Sequence, residues 1–170
     1  MYLVTSSIIT ATITYVAYNA IALAIFGVPQ SLSETYYLYK KSHGMGFLFP
    51  TMMALVVAFM MPAWITMSEG SPFQFLSFLA PASILFVGAA PAFKSSSLEN
   101  SVHSISALIA AACSLAWVCL ITPYWWEILV WGAIAICFAI LTKTYKTSCV
   151  YWLETIALGA TFTSAIIYSM

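Results

Sequence analysis

Residues 3–26 read LVTSSIITATITYVAYNAIALAIF, an apolar stretch without a single charged side chain. About 20 mostly apolar residues are enough for an α-helix to cross the hydrocarbon core of a bilayer. The stretch lacks the basic residues that open a signal peptide, and its apolar part is long enough to span. We therefore expect it to be the first transmembrane helix of the mature protein.

Five further apolar stretches follow the first, and each has about the length of a span. They cover residues 46–67, 73–92, 102–122, 124–142 and 149–169. These runs are continuous, whereas a transmembrane β-barrel needs apolar and polar residues in alternation. The sequence therefore predicts an all-α integral membrane protein, with residues 1–170 forming a single domain that is a six-transmembrane-helix bundle.

The composition of the whole chain agrees with this interpretation. Of its 170 residues 63% are hydrophobic and only 6% are charged, as five Lys and five Glu, with no Arg or Asp. In soluble domains about a quarter of all residues are charged, and disordered chains combine low hydrophobicity with high net charge. Both classes are therefore excluded. No nucleic-acid partner is expected, because phosphate binding needs clustered Lys and Arg.

The lysines predict how the chain is oriented in the membrane. They lie in the first, third and fifth loops between the predicted spans, at Lys40, Lys41, Lys94, Lys143 and Lys146. Because cytoplasmic loops collect basic residues, these three loops are predicted to be cytoplasmic. Six spans then place both termini on the non-cytoplasmic side.

The first loop, between the first two spans, contains a helical pattern. Ser31 and Glu34 have the Ser-x-x-Glu spacing of a capping box, and Leu32, Tyr36 and Tyr39 follow on one helical face. We expect a short amphipathic helix in the cytoplasmic headgroup region. The same segment could also serve as a lid over a cavity between the spans.

Ionisable side chains inside spans are rare and usually face the protein interior or a wet cavity. Glu154 lies roughly 8 Å inside the sixth span, at 1.5 Å per residue. His103 lies about one turn inside the membrane boundary, and Glu99 shares its helix face four residues earlier. Asn19 has a similar depth in the first span. These four residues predict a polar pocket in the cytoplasmic half. Polar bonding between packed helices, and a structural role for His103 at the interface, are the alternatives.

Two segments resemble a known group of proteins. Residues 29–37 read PQSLSETYY, which is similar to the Pro-x-Ser-Ile-Ser-x-x-Tyr-Tyr loop of certain bacterial six-span proteins. The fourth helix of those proteins begins with a His followed four residues later by Ala, as His103 and Ala107 do here. Their layout is similar to that of the DRAM-like group, some of whose members act in lipid remodelling or autophagy.

This resemblance covers about a third of the chain. The basic residue that often follows the Tyr pair is missing, unless Lys40 or Lys41 replaces it. The resemblance implies a six-span fold in a bacterial inner (plasma) membrane and a polar site that faces the cytoplasm. It implies no established activity. The matching positions of that site are Ser33, Tyr36, Tyr37 and His103.

From these patterns we expect a protein that binds a lipid or small amphiphile in its cytoplasmic half. The predicted ligand-binding residues are Asn19, Ser33, Tyr36, Tyr37, His103 and Glu154. Two alternatives stay open. One is a lipid-modifying enzyme with His103 as the general base and Glu99 orienting it. The other is a small transporter or channel that is coupled through Glu154.

Membrane lipids are the expected partners, and neither a cofactor nor a metal is expected. Only two His and no Asp are present, too few ligands for a zinc hydrolase site. Small residues recur at four-residue spacing in Ala107-x-x-x-Ala111 and Gly159-x-x-x-Thr163. Such pairs predict close helix packing, either within the bundle or between the copies of a homo-oligomer.

Overall fold

The computed structural model describes residues 2–170, which form helices, turns and loops, and no β-strand within that range. A short 3-10 turn, Leu32–Glu34, precedes the second helix. The α-helices are α1 (Tyr2–Phe26), α2 (Thr35–His43), α3 (Leu48–Met67), α4 (Leu76–Ala89), α5 (Ser97–Leu120), α6 (Glu127–Leu141) and α7 (Cys149–Ser169). The prediction of an all-helical protein is confirmed.

The lengths of the helices differ from the prediction of six full spans. Four helices, α1, α3, α5 and α7, are long and apolar enough to cross a membrane. Helices α4 and α6 are apolar but have only 14 and 15 residues. At 1.5 Å per residue they extend about 21 to 23 Å, against a hydrocarbon core of about 30 Å. Six full-length spans were therefore the wrong expectation for these two.

Both shorter helices lose residues from the predicted spans at their ends. Residues 73–75 and 125–126 form turns before α4 and α6. At the other end of α4, Ala90 leaves the helical conformation with φ −110° and ψ 56°. Ala90 precedes Pro91, and the proline ring disfavours a helical residue directly before it. The predicted third span therefore ends early.

Helix α5 shows the opposite difference, because it begins at Ser97 and includes residues that the sequence placed in a loop. The preceding Ser96 is extended, and its hydroxyl accepts a hydrogen bond of 3.1 Å from the Glu99 N–H. This bond satisfies one of the backbone donors that every helix start leaves free. His103 therefore lies in the second turn of α5.

Five of the helices close into a ring. Helix α1 packs against α3, α3 against α4, α4 against α5, α5 against α7, and α7 against α1. Helix α6 lies outside this ring, against α7. The start of α1 and the end of α7 lie at the same end of the bundle, where the Thr5 hydroxyl donates to the Ser169 carbonyl at 3.0 Å.

The first, third and fifth loops meet at the other end of the bundle. The Tyr151 N–H, at the start of α7, donates to the Gln30 carbonyl at 3.1 Å. The Lys94 Nζ lies 2.9 Å from the Glu34 Oε1. Since these three loops carry all five lysines, we call this end the lysine end.

Large apolar side chains cover the outer surface of the helices. Ile13 on α1 is 62% exposed, and Leu129 and Ile136 on α6 are 64% and 62% exposed. Soluble monomers rarely expose contiguous apolar surface on this scale. The outer faces of these helices are therefore suited to contact with lipid tails.

The contact between α6 and α7 depends on Gly159. A Cβ atom at this position would overlap the Trp131 ring, so the indole packs directly against the α7 backbone. The Trp131 Nε1 donates to the Thr163 Oγ1 at 3.1 Å, one turn along α7. The small-residue pair Gly159 and Thr163 thus serves helix packing inside this chain.

Replacing Gly159 by Ala should destabilise the protein, because the new methyl group overlaps the Trp131 ring. Overpacking of this kind costs about 1–3 kcal/mol. The matched control is Gly132→Ala on α6, where a Cβ meets nothing within 4 Å and alanine favours the helix by about 1 kcal/mol. Thermal unfolding in detergent micelles measures both variants, and equal stability of the two would contradict the packing described here.

Candidate functional site

A cleft of about 470 Å³ opens between α5 and α7 at the lysine end. The first loop covers it with Ser31, Ser33 and Glu34, and the third loop contributes Phe93 and Lys94. Helix α5 lines it with one stripe at helical spacing, made of Asn100, His103, Ser104, Ala107, Leu108 and Ala111. Helix α7 adds Val150, Leu153 and Glu154. The cleft therefore combines polar groups at its mouth with apolar groups along its sides.

Two hydrogen bonds fasten the first loop to α7. The Glu154 Oε2 accepts from the Leu32 N–H at 2.6 Å. One turn earlier, the Tyr151 N–H donates to the Gln30 carbonyl. The first N–H groups of a helix lack partners within the helix, so α7 offers Tyr151 as a ready donor.

The first loop also has internal bonds that hold its shape. The Ser31 hydroxyl accepts from the Glu34 N–H at 3.2 Å, and the Glu34 Oε2 accepts from the Gln30 N–H at 3.0 Å. The predicted capping spacing thus forms real bonds, although the carboxylate reaches Gln30 rather than the Ser31 N–H. Leu32 and Tyr39 are buried, as the predicted helical face requires. Burial raises the pKa of the Tyr39 phenol, so it stays neutral.

His103 is held in one orientation on the α5 wall of the cleft. It is 5% exposed, and its Nδ1 lies 3.0 Å from the Ala90 carbonyl oxygen. A carbonyl oxygen only accepts, so Nδ1 carries the hydrogen, and the Nε2 of a neutral ring keeps its lone pair. The ring also stacks on Phe93, with 4.5 Å between the centroids. His103 can therefore accept a hydrogen bond or a proton through Nε2.

Glu99 does not orient His103, although the two share one helix face. The Glu99 carboxylate accepts from the Ser95 hydroxyl at the start of α5. Across residues 2–170, no hydrogen bond or ion pair joins Glu99 to His103, and Glu99 does not line the cleft. The orienting group is the Ala90 carbonyl instead, because the imidazole turns toward the end of α4.

Of the predicted ligand-binding residues, Ser33, His103 and Glu154 line the cleft together. Asn19 does not, because it lies buried between α1 and α7. Its Nδ2 donates to the Tyr15 carbonyl at 3.0 Å, and its Oδ1 accepts from the Tyr151 hydroxyl at 3.5 Å. Asn19 thus has the helix-bonding role that the sequence left as the alternative.

Tyr36 and Tyr37 lie behind the cleft and support it. The Tyr37 hydroxyl accepts from the Lys94 N–H at 2.7 Å, and its ring packs edge-on against Phe93 at 5.3 Å. The Tyr36 ring packs edge-on against Tyr37, and the Lys40 Nζ lies 5.5 Å from its centroid. These tyrosines therefore connect the first loop to the third.

A second, smaller cavity of about 60 Å³ adjoins the cleft. The two share Ala107, Ala111 and Glu154 as lining residues. Its lining is apolar apart from Glu154 and Ser114. Leu108 and Leu153, on the outer edges of the cleft, are 70% and 60% exposed. The polar mouth of the cleft therefore lies beside an apolar cavity, and the edges of the cleft at Leu108 and Leu153 belong to the exposed apolar surface of the bundle.

Sequence reasoning missed several residues of the cleft, namely Glu34, Lys94, Asn100 and Ser104. One pattern could have found two of them. Asn100, His103, Ser104 and Ala107 recur at the spacing of a single helical face, with polar residues near the helix start and small ones deeper. Such a stripe indicates a cavity wall rather than a lipid-facing surface.

The described residues hold no group of three or more His, Cys, Asp or Glu side chains that could bind a metal ion. No protein-family model, no curated protein and no solved structure matches this chain. The functional assignment therefore depends on the geometry of the cleft and on the chemistry of the groups that line it.

Replacing His103 by Phe should destabilise the junction between α4 and α5. The new ring keeps the stacking on Phe93 but removes the donor to the Ala90 carbonyl, and an unsatisfied buried acceptor costs about 1–3 kcal/mol. Ser104→Ala, at the exposed neighbouring position, is the control and should change stability by less than about 0.5 kcal/mol. Chemical denaturation in detergent micelles gives both values. Unchanged stability of the Phe variant would show that the imidazole is not held by this bond.

Proposed function

We propose that this is a multi-pass membrane protein that binds a lipid or small amphiphile in the cleft between α5 and α7. The headgroup lies at the lysine end, among Ser33, His103 and Glu154, and the chain extends past Ala107 and Ala111. The observation that carries this proposal is that the polar cleft and the apolar cavity adjoin at Glu154, which lines both. Small-molecule sites of this kind are mostly apolar with a few convergent polar groups.

The shape of the cleft also suits a ligand that arrives from the bilayer. Its outer edges carry exposed apolar side chains, which in a membrane would contact lipid tails rather than water. An amphiphile entering sideways keeps its chain in an apolar environment throughout. Its polar head would meet hydrogen-bonding groups only at the lysine end, where the headgroups of the surrounding lipids also lie.

We further propose that all six apolar helices cross the membrane, with α4 and α6 reaching both interfaces through the turns that flank them. The lysine end then faces the cytoplasm of a bacterial inner membrane, because basic residues are retained on that side. The resemblance to DRAM-like six-span proteins agrees with this proposal, since two of its matching positions, Ser33 and His103, line the cleft.

This orientation predicts the behaviour of reporter fusions. A reporter that is active only in the cytoplasm should be inactive when fused after Met170, because the carboxyl end lies at the end opposite the lysines. The same reporter fused after Lys146, in the fifth loop, should be active and serves as the control. Activity of the fusion at Met170 would overturn the proposed orientation.

A lipid-modifying enzyme is the second candidate, and one observation favours it. His103 donates its Nδ1–H to the Ala90 carbonyl, so the lone pair of the neutral ring is on Nε2, the atom that would act as a general base toward a group in the cleft. Ser33 and Ser104 line the same cleft. An enzyme would lose turnover in His103→Gln while still binding its substrate, whereas a binding protein has no turnover to lose. Transport coupled through Glu154 stays a prediction.

Filling the cleft should remove the bound amphiphile. Ala111 lines both the cleft and the cavity, so an indole at Ala111→Trp would occupy the space of the chain. The control is Ala112→Trp, because Ala112 is exposed on the outer face of α5. Mass spectrometry of lipids extracted from the purified protein should find a retained amphiphile in the parent protein and the control, and about tenfold less in Ala111→Trp.

The result that contradicts the proposal is an equal amount of retained lipid in Ala111→Trp and Ala112→Trp. In that case the retained lipid belongs to the outer surface of the bundle, and the cleft does not hold it. A melting temperature for each variant shows whether both are folded, so that a loss of lipid is not confused with a loss of structure.

A further inference from the structure

We infer that the cleft recognises a primary ammonium group, and this rests on the proposed function because it names the headgroup that the same cleft binds. Three ionisable side chains with formal charge line the cleft: Glu34, Lys94 and Glu154. The Lys94 Nζ is already engaged 2.9 Å from the Glu34 Oε1. Glu154 is therefore left without a cationic partner among residues 2–170.

The one hydrogen bond that Glu154 receives there comes from a neutral donor, the Leu32 N–H. A carboxylate offers about four acceptor positions on its two oxygens. A carboxylate inside a membrane span is costly unless a counter-charge and further hydrogen-bond donors reach it. A ligand that brings a positive charge and several N–H groups would supply both.

The second acceptor in the cleft is the His103 imidazole. Its Nδ1 donates to the Ala90 carbonyl, so in the neutral ring Nε2 is the nitrogen that keeps a lone pair for a ligand donor. A lone pair on an imidazole nitrogen binds a donor and offers nothing to an anion. His103 and Glu154, on opposite walls, thus favour the same kind of headgroup.

Serine hydroxyls complete the set of acceptors at the mouth. The Ser33 Oγ lies 3.0 Å from the Ser31 Oγ, and both residues line the cleft under the first loop. A primary ammonium carries three N–H donors, which match the carboxylate, the imidazole nitrogen and a hydroxyl. Headgroups with three methyl groups on the nitrogen lack these donors and fit less well.

Anionic headgroups should bind less well than an ammonium group in this cleft. Among the described residues, Lys94 is the only lysine that lines the cleft, and it would have to leave Glu34 to bind them. Glu154 and Glu34 would then both repel the ligand. Since like charges within a low-dielectric cleft oppose binding, a carboxylate or phosphate headgroup without an amine should bind more weakly than an amine of the same chain length.

The test uses purified full-length protein in a neutral detergent and equilibrium binding of radiolabelled probes. Tetradecylamine, tetradecanol and tetradecanoic acid share one chain and differ only in the headgroup. Ethylamine carries the ammonium without the chain. Phosphatidylethanolamine and phosphatidylglycerol in nanodiscs extend the comparison to membrane lipids, because only the first carries a primary amine. The amine should bind about tenfold or more tightly than the alcohol and the acid, as expected for charge-assisted hydrogen bonds.

Glu154→Gln removes the charge but keeps an oxygen that can accept from the Leu32 N–H. It should weaken tetradecylamine binding about tenfold and leave tetradecanol binding nearly unchanged. The matched control is Glu127→Gln, because Glu127 is a buried carboxylate between α6 and α7, away from the cleft, that accepts from the Thr163 hydroxyl. It should bind tetradecylamine as the parent protein does.

A second variant keeps the inference testable if Glu154→Gln does not fold. Lys94→Gln releases Glu34 from its ion pair and makes the cleft more negative, so it should increase the preference for the amine over the acid. A preference that stays the same or falls in Lys94→Gln would overturn the inference.

The outcomes separate this inference from the proposed function. If long-chain probes bind and the acid binds as tightly as the amine, the ammonium preference is wrong and the amphiphile site remains. The same conclusion follows if Glu154→Gln keeps the full preference. If ethylamine binds as tightly as tetradecylamine, the ammonium site remains and the amphiphile function is wrong. If no probe binds, both are wrong.

Discussion

The hydrogen bond from the Leu32 N–H to the Glu154 carboxylate is the interaction on which the rest of the lysine end depends. It joins the first loop to α7, the helix that packs against α1, α5 and α6. It also lies where the polar cleft meets the apolar cavity. A carboxylate inside a span is expensive without partners, so its position requires the loop to cover it.

The other contacts at this end extend from the same bond. Glu34, two residues after Leu32, pairs with Lys94 and so draws the third loop over the cleft. The Tyr37 hydroxyl binds the Lys94 backbone, while Phe93 stacks on His103. The loops that cover the cleft, its α5 wall and the groups that would bind a ligand are thus connected to one another. A ligand that contacts Glu154 and His103 would stabilise all three loops together.

Features that depend on residues close together in the sequence, such as helix caps and buried helix faces, could be predicted from the sequence. Ser31 caps its helical turn as its spacing predicts, and Leu32 and Tyr39 on the predicted face are buried. The depth of Glu154 predicts that its carboxylate needs partners, and the Leu32 N–H is one of them. Hydropathy could not give the lengths of α4 and α6, because apolar residues such as Phe73 and Trp125 also occupy turns at the ends of helices.

The partners of side chains depend on tertiary packing. His103 bonds the Ala90 carbonyl from the neighbouring α4 rather than Glu99 on its own helix, and helical spacing alone does not reveal this choice.

A density map at side-chain resolution of the protein, purified from membranes in a mild detergent, tests the central claim most directly. We expect elongated density between α5 and α7 that begins beside His103 and Glu154 and extends past Ala111, with the Leu32 N–H bonded to the Glu154 carboxylate. Direct contact of α5 and α7 across the cleft, or a cleft that holds only separate water peaks, would contradict it.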